Sequence, residues 1–159
     1  MRRTFPTLLA ALLALPLAGC GLGIPADPEG TLERVRDGTL RVGVSANPPW
    51  TRVQAGADPG GTESTLVLRF AARHNAEVEW VEGGEETLMG KLEHGELDLV
   101  IGGLTKKSPW SDKAALTRPY VELANDRGEK EEHVMAARMG ENAFLVELEE
   151  FLLHQEDLP

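Results

Sequence analysis

The sequence predicts an α/β fold, a mostly parallel sheet flanked by helices, and three observations predict it. The stretches "TLRVGVS", "AEVEWVEG" and "LDLVIGG" are short and alternating or apolar, as strands are. Residues 64–74 and 85–94 instead repeat their apolar side chains at helical spacing. The two kinds alternate along the chain, which is the pattern of helices crossing between parallel neighbours.

The first 20 residues stand outside that domain. Arg2 and Arg3 precede the apolar run "TLLAALLALPLAG", which ends in small residues just before Cys20. The run is shorter than the ~20 apolar residues a membrane-spanning helix needs. Charged start, apolar middle and small-residue exit together give the shape of a secretory signal peptide. Leu17-Ala18-Gly19-Cys20 resembles the bacterial lipoprotein box, which implies lipidation at Cys20. Cys20 is the only Cys, and an unpaired thiol in an exported chain calls for such an explanation. Two or more acyl chains hold firmly where one anchors only marginally. The expected protein is therefore a membrane-anchored lipoprotein on an extracytoplasmic face, touching the membrane through its lipid alone.

Removing residues 1–20 takes away two Arg and no acid, leaving 14 basic against 26 acidic residues and a net charge of −12. Such a surface repels phosphate backbones, so nucleic acid is excluded as a partner. The remaining 139 residues suit one domain.

Residues 21–30, "GLGIPADPEG", are Gly- and Pro-rich and read as a flexible tether. Thr31 to Asp37 is a short helix with Thr31 as its cap. In "TLRVGVS" Leu40, Val42 and Val44 alternate; the following "ANPPWTRVQAGADPGG" is dense in turn formers and reads as loop. The 64–74 helix buries Leu66, Val67, Phe70 and Ala71. In the next strand Val78 and Trp80 share one face, with Glu79 and Val81 on the other. The 85–94 helix carries Leu88, Met89 and Leu92 on one stripe, and Gly95 stands where a left-handed residue ends a helix. "LDLVIGG" is a buried strand. After Tyr120, "YVELA" and "EEHVMAARM" read as two strands joined by the turn "NDRG". A last amphipathic helix buries Phe144, Leu148, Phe151 and Leu152, with Glu141, Glu147, Glu149 and Glu150 mostly toward water.

Four pieces, "GTLRVGVSANPPW", "LMGKLEHGELDLVIGGLT", "ALTRPY" and "MGENAFLVELEEFL", resemble in content and order the extracytoplasmic solute-binding proteins of amino-acid-type ABC importers. The resemblance implies one lobe of a type 2 periplasmic binding protein over residues 31–159, with 38–122 and 133–154 matching. Members usually have two lobes that close on a ligand. Here a short linker, 123–132, stands in place of the second lobe, as a hairpin.

By the same resemblance, ligand contacts come from the loops after the first strand and after "LDLVIGG". In the first, Asn47 and Trp50 fall at polar and aromatic contact positions, although a Trp there could equally cover the edge of the core. In the second, Gly103 and Thr105 match positions whose backbone N–H and hydroxyl hold a ligand carboxylate; a plain strand-ending turn is the other reading. Lys106 and Lys107 follow them. The family commonly places a carboxylate-clamping Arg five residues after the Thr, and here that position is Trp110, suited to stacking on a ring or a cationic headgroup. Glu63 resembles an acid at the start of this helix, where it would serve the helix N-terminus.

The sequence holds no G-x-S-x-G elbow, no P-loop and no G-x-G-x-x-G after a strand. Its four His at 74, 94, 133 and 154 lack zinc-ligand spacing. The implied function is thus non-enzymatic, without cofactor or metal: a truncated binder of an amino acid or similar small polar solute. An ABC permease would be its partner, or two copies could face one another as a homodimer that rebuilds a cleft. The alternative is a degenerate lobe serving as a protein-interaction or scaffold module on the membrane surface.

Overall fold

A computed structural model describes residues 25–125 and 127–155. The expected signal peptide and Cys20 lie outside the described residues. The expected tether enters the described region at Pro25, and from Ala26 onward it is held: Ala143 N donates to Ala26 O at 3.1 Å.

The chain runs α1 (Thr31–Val35), β1 (Thr39–Val44), β2 (Arg52–Gln54), β3 (Ala57–Gly60), α2 (Thr62–Arg73), β4 (Glu77–Glu82), α3 (Glu85–Glu93), β5 (Leu99–Ile101), β6 (Ala115–Leu116), β7 (Val121–Ala124), β8 (Lys130–His133), β9 (Ala136–Ala137) and α4 (Asn142–Leu153). The main sheet has the order β4-β1-β5-β9-β6. β4, β1 and β5 are parallel, in the registers Val42 with Trp80 and Val42 with Leu99. β9 returns antiparallel to β5, and β6 pairs antiparallel with β9. The expected α/β fold, a mostly parallel sheet flanked by helices, is what forms.

Each face of the sheet carries its own core. On one, Leu40, Val42 and Val44 of β1 meet the apolar stripes of α2 and α4. Phe70 sits at the centre of that layer with its ring edge-on to Phe144 and Phe151, at 5.8 and 5.4 Å. On the other, Leu88, Met89 and Leu92 of α3 meet Val100 and Leu97. Gly43 makes that approach possible, because a Cβ there would come within 2.8 Å of Leu97 and 3.1 Å of Leu88. β5 is buried on both faces, which is why it reads as an unbroken apolar run. No helix among the described residues is long and apolar enough to cross a membrane.

Several expectations need correction. The loop 46–61 contains a hairpin, β2–β3, whose strands are too short to leave a periodic trace. "EEHVMAARM" is not one strand. It divides at Val134 into β8, which pairs with β7, and β9, which enters the main sheet. Thr31 does not cap α1; the N-cap is Gly30 at φ 65, with no side-chain cap bond of its own. The cap arrives from elsewhere. Glu141 accepts hydrogen bonds from Glu29 N and Thr31 N at 3.1 and 3.0 Å, and Asp27 accepts one from Leu32 N at 2.8 Å. Glu141 and Glu149 are accordingly buried rather than solvated. Glu149 accepts Arg118 N at 2.7 Å and Arg118 Nε at 2.8 Å, tying α4 to the segment before β7.

The buried carboxylate of Asp98 joins α1, β1 and the start of β5. It accepts hydrogen bonds from Arg34 Nη2 at 2.8 Å, Arg41 N at 2.9 Å and Arg41 Nη2 at 2.6 Å. Burial alone would raise its pKa, but the two guanidinium groups and the Arg41 N–H outweigh it and hold the value below the ordinary 3.8. Asp98→Ala should therefore destabilise the fold by about 2–4 kcal/mol at neutral pH, less than a fully enclosed pair because Arg34 is partly solvated. A depressed carboxylate pKa contributes stability above 3.8 that disappears as pH falls through the folded value. Urea denaturation between neutral and strongly acid pH checks this: the difference between Asp98→Ala and the parent should shrink below pH 3.8.

Candidate functional site

The C-terminal ends of the parallel strands form one edge of the sheet, where open α/β sheets take their ligands. The loop after β1 delivers Asn47 and Trp50 there, and the loop after β5 delivers Gly102, Gly103 and Thr105. Asn47 is locked by its own loop, exchanging backbone bonds with Thr51 at 3.1 Å in both directions. Its Nδ2 reaches across to Gly102 O at 2.8 Å, so the two loops are directly joined.

Gly103 lies beneath both ring and amide. Its φ is +64, and a Cβ would stand 2.5 Å from Asn47 Nδ2 and 2.6 Å from Trp50 Cδ1. Only glycine fits, for backbone and for space. Trp50 is 9% exposed, packed edge-on to Tyr120 at 6.5 Å and stacked on His133 at 3.8 Å. It covers the edge of the core and offers little ring to a ligand. Thr105 is joined to the same group by an antiparallel bridge to His133.

Beneath these residues lies Glu63, fully buried. Its Oε2 accepts hydrogen bonds from Gly102 N and Gly103 N, both at 2.9 Å, and its Oε1 accepts one from Tyr120 OH at 2.6 Å. Its own N–H donates to Trp50 O at 3.0 Å. The expected role at the helix N-terminus is thus corrected: the side chain serves the loop after β5, not its own helix. A second expectation changes with it, because Gly103 N–H is already committed inside the protein. Thr105 N–H is likewise used, donating to Ser108 Oγ at 3.0 Å. Among the described residues Asn47 Oδ1 and the Thr105 hydroxyl make no hydrogen bond within the protein, and they are among the polar groups left at this edge by the two loops.

Burial raises the pKa of Glu63, against the lowering effect of the Gly103, Tyr120 and Gly102 donors. Burial and the neighbouring Glu63 carboxylate push the Tyr120 hydroxyl far above its ordinary value, so it remains a donor. His133 is buried too, and its Nδ1 has no hydrogen-bond partner among the described residues.

Trp110 makes none of these contacts. It packs on the α3 side of the sheet, and its Nε1 donates to Glu85 Oε2 at 3.0 Å. Lys113 Nζ already occupies a position 5.9 Å from its ring centroid. The structure therefore joins Asn47, Trp50, Gly103 and Thr105 by direct contacts, while Trp110 is engaged with Glu85 at the start of α3. It adds Glu63, Tyr120 and His133, which sequence reading did not place here. A signal existed for the first: Glu63 stands three and four residues before Leu66 and Val67, on the buried stripe of its helix.

A sequence model of bacterial extracellular solute-binding proteins, family 3, matches residues 40–153. Among solved structures, the arginine-bound form of domain 1 from TmArgBP, the ArgBP of T. maritima, is 26% identical with a TM-score of 0.67. That likeness covers 77% of this chain and 98% of that one. An ancestral cationic amino acid solute binding protein, AncCDT-1, is 16% identical at a TM-score of 0.66, over 77% of this chain and 92% of that one. The L-cystine solute receptor of Neisseria gonorrhoeae, in its unliganded open conformation, is 23% identical at a TM-score of 0.50; 57% of this chain covers 40% of it. These last two show the fold alone. No curated protein matches this chain.

Glu63→Ala would leave the Gly102 and Gly103 N–H groups and the Tyr120 hydroxyl unpaired, and should destabilise the fold by about 3 kcal/mol. Glu63→Gln keeps an acceptor for the loop and should lie within about 1 kcal/mol of the parent. The folded pKa of Glu63 is raised, so the folded chain holds this proton longer, and stability falls as pH rises from 4.5 through the folded value. Chemical denaturation across that interval should show the slope in the parent and its absence in Glu63→Gln. Gly103→Ala should displace Trp50, read as a red shift of its emission.

Proposed function

The chain belongs to the bacterial extracellular solute-binding proteins of family 3, and from that membership we propose that it is the lipid-anchored, single-lobed solute-binding protein of an ABC importer. Its anchor would be Cys20, its location an extracytoplasmic membrane face, and its partner the importer's permease. It binds rather than catalyses. The solute is an amino acid or a related small polar molecule, taken at the edge formed by Asn47, Trp50, Gly103 and Thr105.

One observation supports this reading above the others: two loops that are distant in sequence meet at that edge, joined by the Asn47–Gly102 bond. A single lobe can serve as a binder in principle, since domain 1 of TmArgBP was solved in its arginine-bound form. Arginine therefore heads the solutes to be tried. The second reading, a scaffold module without transport role, is favoured by a specific observation as well. The N–H donors of Gly102, Gly103 and Thr105 are all spent within the protein, leaving few donors for a carboxylate.

One lobe leaves about half of a small ligand in water, whereas pockets normally bury 70–90% of it. Affinity should then be no better than about millimolar, near −4 kcal/mol. Calorimetry with arginine, other amino acids, amines and small carboxylates measures it. Submicromolar binding by the monomer would overturn the half-exposed site, and light scattering with and without solute identifies ligand-driven dimers.

A further inference from the structure

We propose that His133 is a positioning residue for this edge: when its imidazole takes up a proton, Trp50 shifts and solute binding weakens. The inference rests on the solute-binding reading just given.

The geometry is that of a ring with no room for a charge. His133 is 4% exposed and stacks on Trp50 at 3.8 Å, the planes 31° apart. Among the described residues Nδ1 is buried without a hydrogen-bond partner. The main chain beneath it is fixed, because Tyr120 N donates to His133 O at 3.0 Å and Thr105 bridges it from the other side. Only the ring is free to respond.

The ionisable groups on the surrounding elements leave it little compensation. Glu132 is engaged by Lys106 at 3.5 Å, and Glu122 on β7 by Lys130 at 2.6 Å. Glu63 on α2 is occupied by the two glycine N–H groups and by Tyr120. Glu131, two residues back on β8, is the acid that favours a charged imidazole, and it also accepts a bond from Asn125. Burial outweighs it and keeps the imidazole below its ordinary 6.5.

The face of Trp50 would welcome a cation. It offers no acceptor for an N–H, however, and a protonated ring has two to satisfy. The charged ring reaches water by leaving the stack. Trp50 then loses its support, and with it the close packing of Trp50 and Asn47 over Gly103. The neutral ring is the form that holds the binding edge in place.

The test uses the full chain with Trp80→Phe and Trp110→Phe, so that Trp50 alone reports. Emission is followed from about pH 8 to pH 5, with circular dichroism to confirm that the fold persists. A one-proton change in Trp50 emission is expected in this chain and none in the same chain carrying His133→Gln. Imidazole nitrogen shifts by NMR on the unaltered protein give the same answer without a variant that could misfold: His133 should charge in step with the Trp50 indole signal. Calorimetry with arginine should show about fivefold weaker binding at the acid end, and no such loss in His133→Gln. Emission that titrates equally in both chains, or a His133 that charges with Trp50 unmoved, overturns the proposal. Absence of binding at every pH would sink the solute-binding reading, while the emission and NMR titrations would still decide whether His133 governs Trp50.

Discussion

One buried carboxylate organises this molecule. Glu63 accepts from two consecutive glycine N–H groups after β5 and from the Tyr120 hydroxyl that leads into β7, while its backbone N–H holds the loop after β1. Four segments of the chain therefore meet at one residue. Burying a carboxylate is unfavourable in itself, and burial is the largest influence on its pKa. The donors offset that penalty only if all are present together, because a partly satisfied buried charge is worse than none. The edge consequently forms as a unit or not at all. The same donors are withdrawn from any ligand, so the price of a rigid edge is a smaller set of groups with which to recognise a solute.

This arrangement explains what sequence reading could reach. Helices α2, α3 and α4, and strands β1, β4 and β5, each carry several apolar residues at a fixed spacing, and burial on one face is what that spacing records. β6 and β9 have two residues apiece, too few for any period, and depend on Thr117 N donating to Met135 O at 2.9 Å and on Met135 N donating to Thr117 Oγ1 at 3.0 Å. Their existence is a tertiary fact. The three acids Glu63, Glu141 and Glu149 were legible in principle. Each lies three residues from an apolar member of its helix's buried stripe, namely Leu66, Phe144 and Leu152. Treating Glu as solvated by default hid the pattern, although a Glu on the buried side of a helix signals a partner waiting inside.

The candidate site divides in the same way. Asn47, Trp50, Gly103 and Thr105 are short-range features of two loops, and a resemblance in loop sequence carries them. Trp110 resembles a ligand position by count along the chain, and the loop after β5 bonds its indole to Glu85 at the start of α3, a contact the count does not give. Counting residues fixes contour distance, not direction. His133 gave no signal, because a lone His acquires meaning only when the fold sets it against Trp50.

The hairpin that carries His133 has a mechanical consequence. Strands β7 and β8 pair from Val121 with His133 to Ala124 with Lys130, and Asn125 closes the turn by accepting from Arg127 N and Glu129 N at 3.0 and 2.9 Å. In two-lobed binders, hinge segments between the lobes flex as the lobes close. Here β7 and β8 are sealed by a tight turn and form a strut. That strut sets Tyr120 against Glu63 and His133 against Trp50, so the binding edge inherits its shape from the hairpin. For the single-lobed binder proposed above, no affinity would come from closing, because the hairpin that fixes Tyr120 and His133 holds the edge still. In that reading, recognition comes from a preformed surface, and control over it acts on side chains within that surface rather than on the angle between two domains.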